Sequence, residues 1–211
     1  MSLYLSQLVH LQLEFTYPVS FNGVRSRADV YVPTTRKGMP AALEIQHTNI
    51  ALDEIERRTQ NYKKLGIAVG WIPLIDLDKY EVDTDSPKGW VIEKYVPKPF
   101  EIWIHGFNYG RVWYYEYKEN TLWEGVLNPY MIEVPYSEFY EQGGNQISYG
   151  GYTRYSKRWR TLTITGMYQL SGVEFSITKR EAKSLSIYNY PACNMVKITP
   201  KWKVEQRKLK R

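Results

Sequence analysis

Two acidic residues occupy places where acids are seldom found. Asp29 lies inside the run Arg-Ala-Asp-Val-Tyr-Val at residues 27–32, and Glu44 stands between Leu43 and Ile45 in the run 41–48. Both runs read as strands, where Asp and Glu are depleted, and a buried carboxylate is costly unless it is paired or bound to a metal. Glu44 and Gln46 are two apart, so in a strand they project from one face. Side-by-side pairing of the two strands would bring Asp29 next to Glu44. Two such carboxylates form a hard oxygen site suited to Mg2+ or Mn2+, to which the main-chain carbonyl of Ile45 would add a ligand. An ion held there would activate a water and stabilise charge developing on a scissile phosphate. Gln46 would hydrogen-bond that water or a phosphate oxygen, since an amide carries neither a titratable proton nor a charge. Taken singly, each acid has a plainer reading, such as an ion pair of Asp29 with Arg25 or Arg27.

The elements that must position these groups follow from patterning. Residues 2–11 read as a short helix, and residues 11–17 alternate as a half-buried strand. Phe21-Asn22-Gly23 supplies turn chemistry for a hairpin. Residues 49–65 form the clearest helix, with Leu52, Ile55, Thr59 and Tyr62 on one face and Gly66 past the end. Residues 67–75 are a continuous apolar run, expected to be a strand buried on both faces. The helix is then a crossover between two parallel strands, and the first 76 residues read β-β-β-α-β. Further along, residues 100–104, 161–164 and 173–177 read as strands, and 111–117 with 121–126 as a hairpin around Glu119-Asn120. Gly143, Gly144, Gly150 and Gly151 mark a loop, and residues 181–185 begin a short helix. The expected fold is α/β: a mixed central sheet with flanking helices at 1–96, a strand-rich extension packed on it at 97–196, and a basic tail at 197–211.

At these residues the chain resembles the PD-(D/E)XK nuclease superfamily. The features that carry the likeness are Arg27-Ala28-Asp29-Val30, the fourteen-residue gap, Glu44-Ile45-Gln46, Arg58 and Tyr62 on the next helix, and the strand ending Gly70-Trp71-Ile72. The Glu-x-Gln motif is similar to the CoiA-like branch, where other branches use Glu-x-Lys. More loosely, the tyrosine-rich composition resembles a nuclease-like protein of spindle-shaped archaeal viruses, which would place the chain in a host cytoplasm. The resemblance covers residues 11–75. It implies a restriction-endonuclease-like core acting on DNA, duplex or branched, with Mg2+ or Mn2+ held by Asp29 and Glu44 and with Gln46 at the lysine position. It also implies a homodimer, because duplex cleavage uses two active sites. Many relatives carry a further glutamate on a long first helix. Here that helix is short and has no acid, and Glu14 is the nearest substitute. With Gln46, this departure keeps open a second reading, a nucleic-acid-binding module that has lost catalysis.

Cations elsewhere fit a polyanionic partner. The net charge of +6 resides entirely in residues 197–211, where seven basic residues accompany only Glu205. Lys201, Lys203, Arg207 and Lys208 are therefore candidate phosphate contacts. Arg58 and Tyr62, one helical turn apart, could reach a phosphate together, although Arg58 could equally pair with Glu54. Residues 149–160 interleave Tyr149, Tyr152, Tyr155 and Trp159 with Arg154, Lys157, Arg158 and Arg160, which suits phosphates and unstacked bases. His47 should face away from Gln46 and pack, and His10 and His105 read as structural. Cys193 is the only cysteine, which excludes an internal disulfide and fits a reducing, cytoplasmic setting. No apolar run approaches the ~18 residues of a membrane span, and no secretory signal is visible.

Overall fold

The computed structural model describes residues 17–21, 24–33, 38–185, 188–203 and 206. The helix expected at 2–11, Glu14 and His10 lie outside them, as does the strand expected at 11–17 apart from Tyr17. Strands β1 (Tyr17–Phe21) and β2 (Val24–Ala28) pair antiparallel with Phe21 opposite Val24, the register of a two-residue hairpin. The strand expected over 27–32 is interrupted: β2 ends at Ala28, Asp29 sits in a bend, and β3 (Val30–Val32) resumes. An acid is a poor strand former, and its carboxylate instead takes a main-chain N–H of the neighbouring strand.

The centre is β4 (Ala41–Gln46), helix α1 (Leu52–Lys64) and β5 (Ala68–Ile75). β4 and β5 run parallel, from Ala41 opposite Ala68 to Gln46 opposite Pro73, and α1 crosses between them as expected. Asp53 and Glu54 in the first turn of α1, and Lys63 and Lys64 in its last, match the helix dipole. β5 is buried almost throughout, and successive residues enter different layers. Trp71 joins Ile55, Tyr62, Trp103 and Tyr114 on one side, while Ile72 joins Val30, Leu43, Trp113 and Val196 on the other.

The later strands extend the same sheet. β6 (Trp90–Tyr95) pairs with β11 (Tyr152–Gln169), β11 with β8 (Thr121–Val134), and β8 with β7 (Val112–Glu116). β5 meets β7 at Leu74 and Ile75, and meets β15 (Cys193–Pro200) at Val69; β15 in turn pairs with β12 (Val173–Arg180). The result is a mixed sheet with helices against it.

Three expectations are corrected here. Residues 100–104 are not a strand but part of helix α2 (Pro99–Phe107). Phe100, Trp103, Ile104 and Phe107 are spaced one, three and four apart and all bury, which is helical periodicity. Pro99 opens the helix, and the Glu101 carboxylate accepts the Lys98 main-chain N–H at 2.8 Å. Residues 181–185 do not begin a helix: β13 (Lys183–Leu185) forms a hairpin with β14 (Tyr188–Tyr190). The glycine-marked loop holds a further hairpin, β9 (Ser137–Tyr140) and β10 (Gln146–Tyr149), with Gly143 and Gly144 in its turn. Among the described residues, no helix is long and apolar enough to cross a membrane.

Glu101 is 2% exposed and also accepts the Tyr95 hydroxyl at 3.0 Å. Glu101→Ala is expected to cost about 2 kcal/mol, from the lost cap and the stranded Tyr95 hydroxyl. A denaturant midpoint equal to that of the parent would contradict this.

Candidate metal centre on strands β3 and β4

β3 and β4 pair antiparallel, with Val30 opposite Leu43. Asp29 stands in the bend just before Val30, beside the end of that register, and its carboxylate bonds the main chain of Ile45, the residue after Glu44. Burial first, and the Asp29 charge to a lesser degree, raise the Glu44 carboxyl. The Asp29 Oδ2 accepts the Ile45 N–H at 2.8 Å, so its second oxygen remains for another partner.

Glu44 is 1% exposed, enclosed between β4 and α1. The Arg58 guanidinium reaches both of its oxygens at 2.5 Å, and the Tyr62 hydroxyl donates to Oε1 at 2.5 Å. Tyr62 is fully buried and its hydroxyl needs such an acceptor. Arg58 also stacks over the Trp71 ring, 5.4 Å from its centroid. The Trp71 Nε1 donates to the Thr59 hydroxyl at 3.1 Å, which locks the ring under α1. Despite the guanidinium and the phenol, burial pushes the Glu44 carboxyl up to about 7. A site that penalises a carboxylate while presenting a second one beside it favours a cation.

Asp29 and Glu44 come together as the strand pairing implied. Arg58 and Tyr62 converge on Glu44 itself rather than on open solvent, and it is Arg57 that takes Glu54, at 2.7 Å. Gln46 shares the Glu44 face, but its side-chain amide nitrogen donates to the Thr48 carbonyl at 2.7 Å. His47 is exposed, so the expectation that it packs is corrected; it stands just past the end of β4. His105 is half-buried on α2, and burial lowers its basicity. Among the described residues no three His, Cys, Asp or Glu side chains form a metal cluster.

The other candidate cations lie elsewhere. Arg154, Lys157, Arg158 and Arg160 are on β11, across β5, β7 and β8 from β4, which is about 19 Å at the usual strand spacing. Lys203 pairs with the buried Glu124 at 3.4 Å, and Lys201 is half-buried. Arg207 and Lys208 lie outside the described residues. A cavity of about 270 Å³ opens along Gly70, Trp71 and Ile72, with Tyr109, Lys179 and Lys197 at its lining. It holds neither Asp29 nor Glu44.

Residues 3–86 match the model of the competence protein CoiA nuclease-like domain. No curated protein and no solved structure matches the chain. The matched segment contains β3, β4, α1 and β5, so the CoiA nuclease-like likeness and the paired acids fall on the same elements. It ends before β6, leaving the strands from β6 onward outside the match.

Proposed function

We propose that this chain is a divalent-metal-dependent phosphodiesterase acting on DNA, duplex or branched. The reading is supported by one observation, an Asp29 carboxylate bonded to the main chain of Ile45 and close enough to the buried Glu44 for its charge to act on it. Two carboxylates suffice for Mg2+ or Mn2+, which usually keeps several waters and takes further oxygens from substrate phosphates. Asp29 offers its second oxygen, Glu44 its carboxylate and Ile45 its main-chain carbonyl. The ion would supply an activated water and a counter-charge for the phosphate.

The chain's own groups prepare that site. Tyr62 orients the Glu44 carboxylate, and Trp71 fixes the Arg58 guanidinium above it. The forked donors of Arg58, which now neutralise Glu44, suit a phosphate oxygen arriving at the same place. With its amide nitrogen on Thr48, Gln46 would accept from a water through its side-chain oxygen, and would donate to a phosphate oxygen by turning that nitrogen away from Thr48. Arg154, Lys157, Arg158 and Arg160, like Lys201 and Lys203, would contact DNA away from the scissile bond, and Arg207 and Lys208 would add charge that attracts it.

A second reading, a nucleic-acid binder of the same fold without catalysis, is favoured by the Arg58–Glu44 ion pair and by the neutral Gln46. Calorimetry with Mn2+ and a panel of duplex, branched and single-stranded DNAs separates the two. The enzyme is expected to take up one metal ion and nick at least one DNA, and Asp29→Ala to lose both properties. Cleavage at the parental rate by Asp29→Ala would sink the enzymatic reading.

A further inference from the structure

The two edges of β5 are paired unequally. β4 lies along one edge from Ala68 to Pro73, whereas on the other edge β15 pairs only at Val69 and β7 only at Leu74 and Ile75. Between those two strands the sheet forks, and the cavity of about 270 Å³ opens in the fork beside Gly70, Trp71 and Ile72. Its lining draws on both core layers, Trp71 and Met195 from one and Ile72, Trp113 and Val196 from the other, so it enters the plane of the sheet. Main-chain groups of this stretch directed away from β4 face the cavity, since no described strand pairs with them there.

The charge around the fork has one sign. Arg111, Lys179 and Lys197 line it, and among the described residues no Asp or Glu does. Arg111 is paired with the buried Glu124, but Lys203 shares that carboxylate, so the group stays positive. Lys179 and Lys197 are exposed and make no ion pair among the described residues. By strand alternation Lys197 shares the Met195 face and Lys179 the Val196 face, so they flank the mouth from opposite sides.

Tyr109, also in the lining, links the cavity to a further cation. The Arg180 guanidinium lies 5.0 Å from the centre of its ring. Arg180 is 3% exposed, pairs with no carboxylate among the described residues, and leaves its Nε without a partner. A buried cation without a counter-charge is costly, and its field draws an anion. Tyr109 itself is held outward. It follows the end of α2 at φ +56°, where glycine is usual and a bulky residue is strained, and it is 63% exposed. Such strain persists where the surroundings impose it, and it clusters at ligand sites.

We propose that the fork binds a nucleoside monophosphate, its base stacked on Tyr109 and its phosphate held among Lys197, Lys179 and Arg111. The cavity is near the lower end of the ~300–1,000 Å³ usual for small-molecule sites, which suits one nucleotide and not a duplex. A flat aromatic face and clustered cations are the two contacts this ligand needs. A free nucleotide and the phosphorylated end of a DNA strand offer the same chemistry. The site does not rest on the metal-centre reading, since Asp29 and Glu44 lie outside it.

Calorimetry of the full chain in EDTA, with dAMP as the probe, tests this without any contribution from a metal ion. The parent is expected to bind dAMP with micromolar affinity, and inorganic phosphate or deoxyadenosine at least roughly tenfold more weakly. Tyr109→Ala is expected to weaken dAMP roughly tenfold through the lost stacking, and Lys179→Glu with Lys197→Glu at least as much. All three targets are exposed, and circular dichroism of each variant confirms that the sheet is intact. Displacement of dAMP by a 5′-phosphorylated dinucleotide supports a strand end as the source, and retention of dAMP supports the free nucleotide. Absence of dAMP binding by the parent overturns the proposal. Inorganic phosphate binding as tightly as dAMP overturns it too, as does parental affinity in both folded variants.

Discussion

Glu44→Gln is expected to reduce metal-dependent cleavage by roughly a thousandfold or more while leaving the domain at least as stable above neutral pH. The two effects share a cause. In the folded chain burial pushes the Glu44 carboxyl up to about 7, against an ordinary value of 4.5. Between those values the folded state binds more protons than the unfolded one, so stability falls as pH rises through this window. Below about 4.5 the penalty is absent, and above about 7 it is complete, at about 3 kcal/mol. Glutamine keeps an oxygen for the Tyr62 hydroxyl but never ionises, so the variant escapes the penalty and loses the cation ligand. Denaturant unfolding at pH 5 and pH 8 reads the difference directly. The parent should lose stability between the two, while the variant should change less. Parallel profiles would show that Glu44 is not the group being charged.

This opposition of function and stability also explains which parts of the chain were legible. The acids at 29 and 44 stood out because strands seldom bury carboxylates, and the same oddity makes Glu44 expensive in the fold. The crossover α1 was plain from Leu52, Ile55, Thr59 and Tyr62, because a helix packed on one face repeats its buried positions at helical spacing. α2 hid its period: Phe100, Ile102 and Ile104 alternate as in a strand, while Phe100, Trp103, Ile104 and Phe107 form the stripe that packing selects. Residues 183–185 and 188–190 are too short for periodicity to speak, and their pairing with each other decided their state. The partnership of Arg58 and Tyr62 with Glu44 required knowing how α1 lies over β4, which spacing along the chain does not specify. Gln46 turned to Thr48 for a local reason, since the strand ends there and the Thr48 carbonyl lies within reach.

Arg58→Ala is the second change with a large expected effect, and it separates the two functional readings. It leaves Glu44, 1% exposed, with the Tyr62 hydroxyl but without its counter-charge. Breaking a buried pair from one side costs about 3–5 kcal/mol, and the lower end applies because Arg58 is 23% exposed. The loss should be largest at pH 8 and shrink toward pH 5, where Glu44 takes up a proton instead. Glu44→Gln added to Arg58→Ala should recover most of it, so the two substitutions should be strongly non-additive in a double-mutant cycle. Mn2+ then discriminates. If the centre binds metal, the ion takes over the neutralising role of the guanidinium, and it should stabilise Arg58→Ala more than the parent, where Arg58 competes for the same oxygens. A pure binder has no such vacancy to fill: Mn2+ would leave Arg58→Ala as unstable as before, and the ion pair would stand as an end in itself.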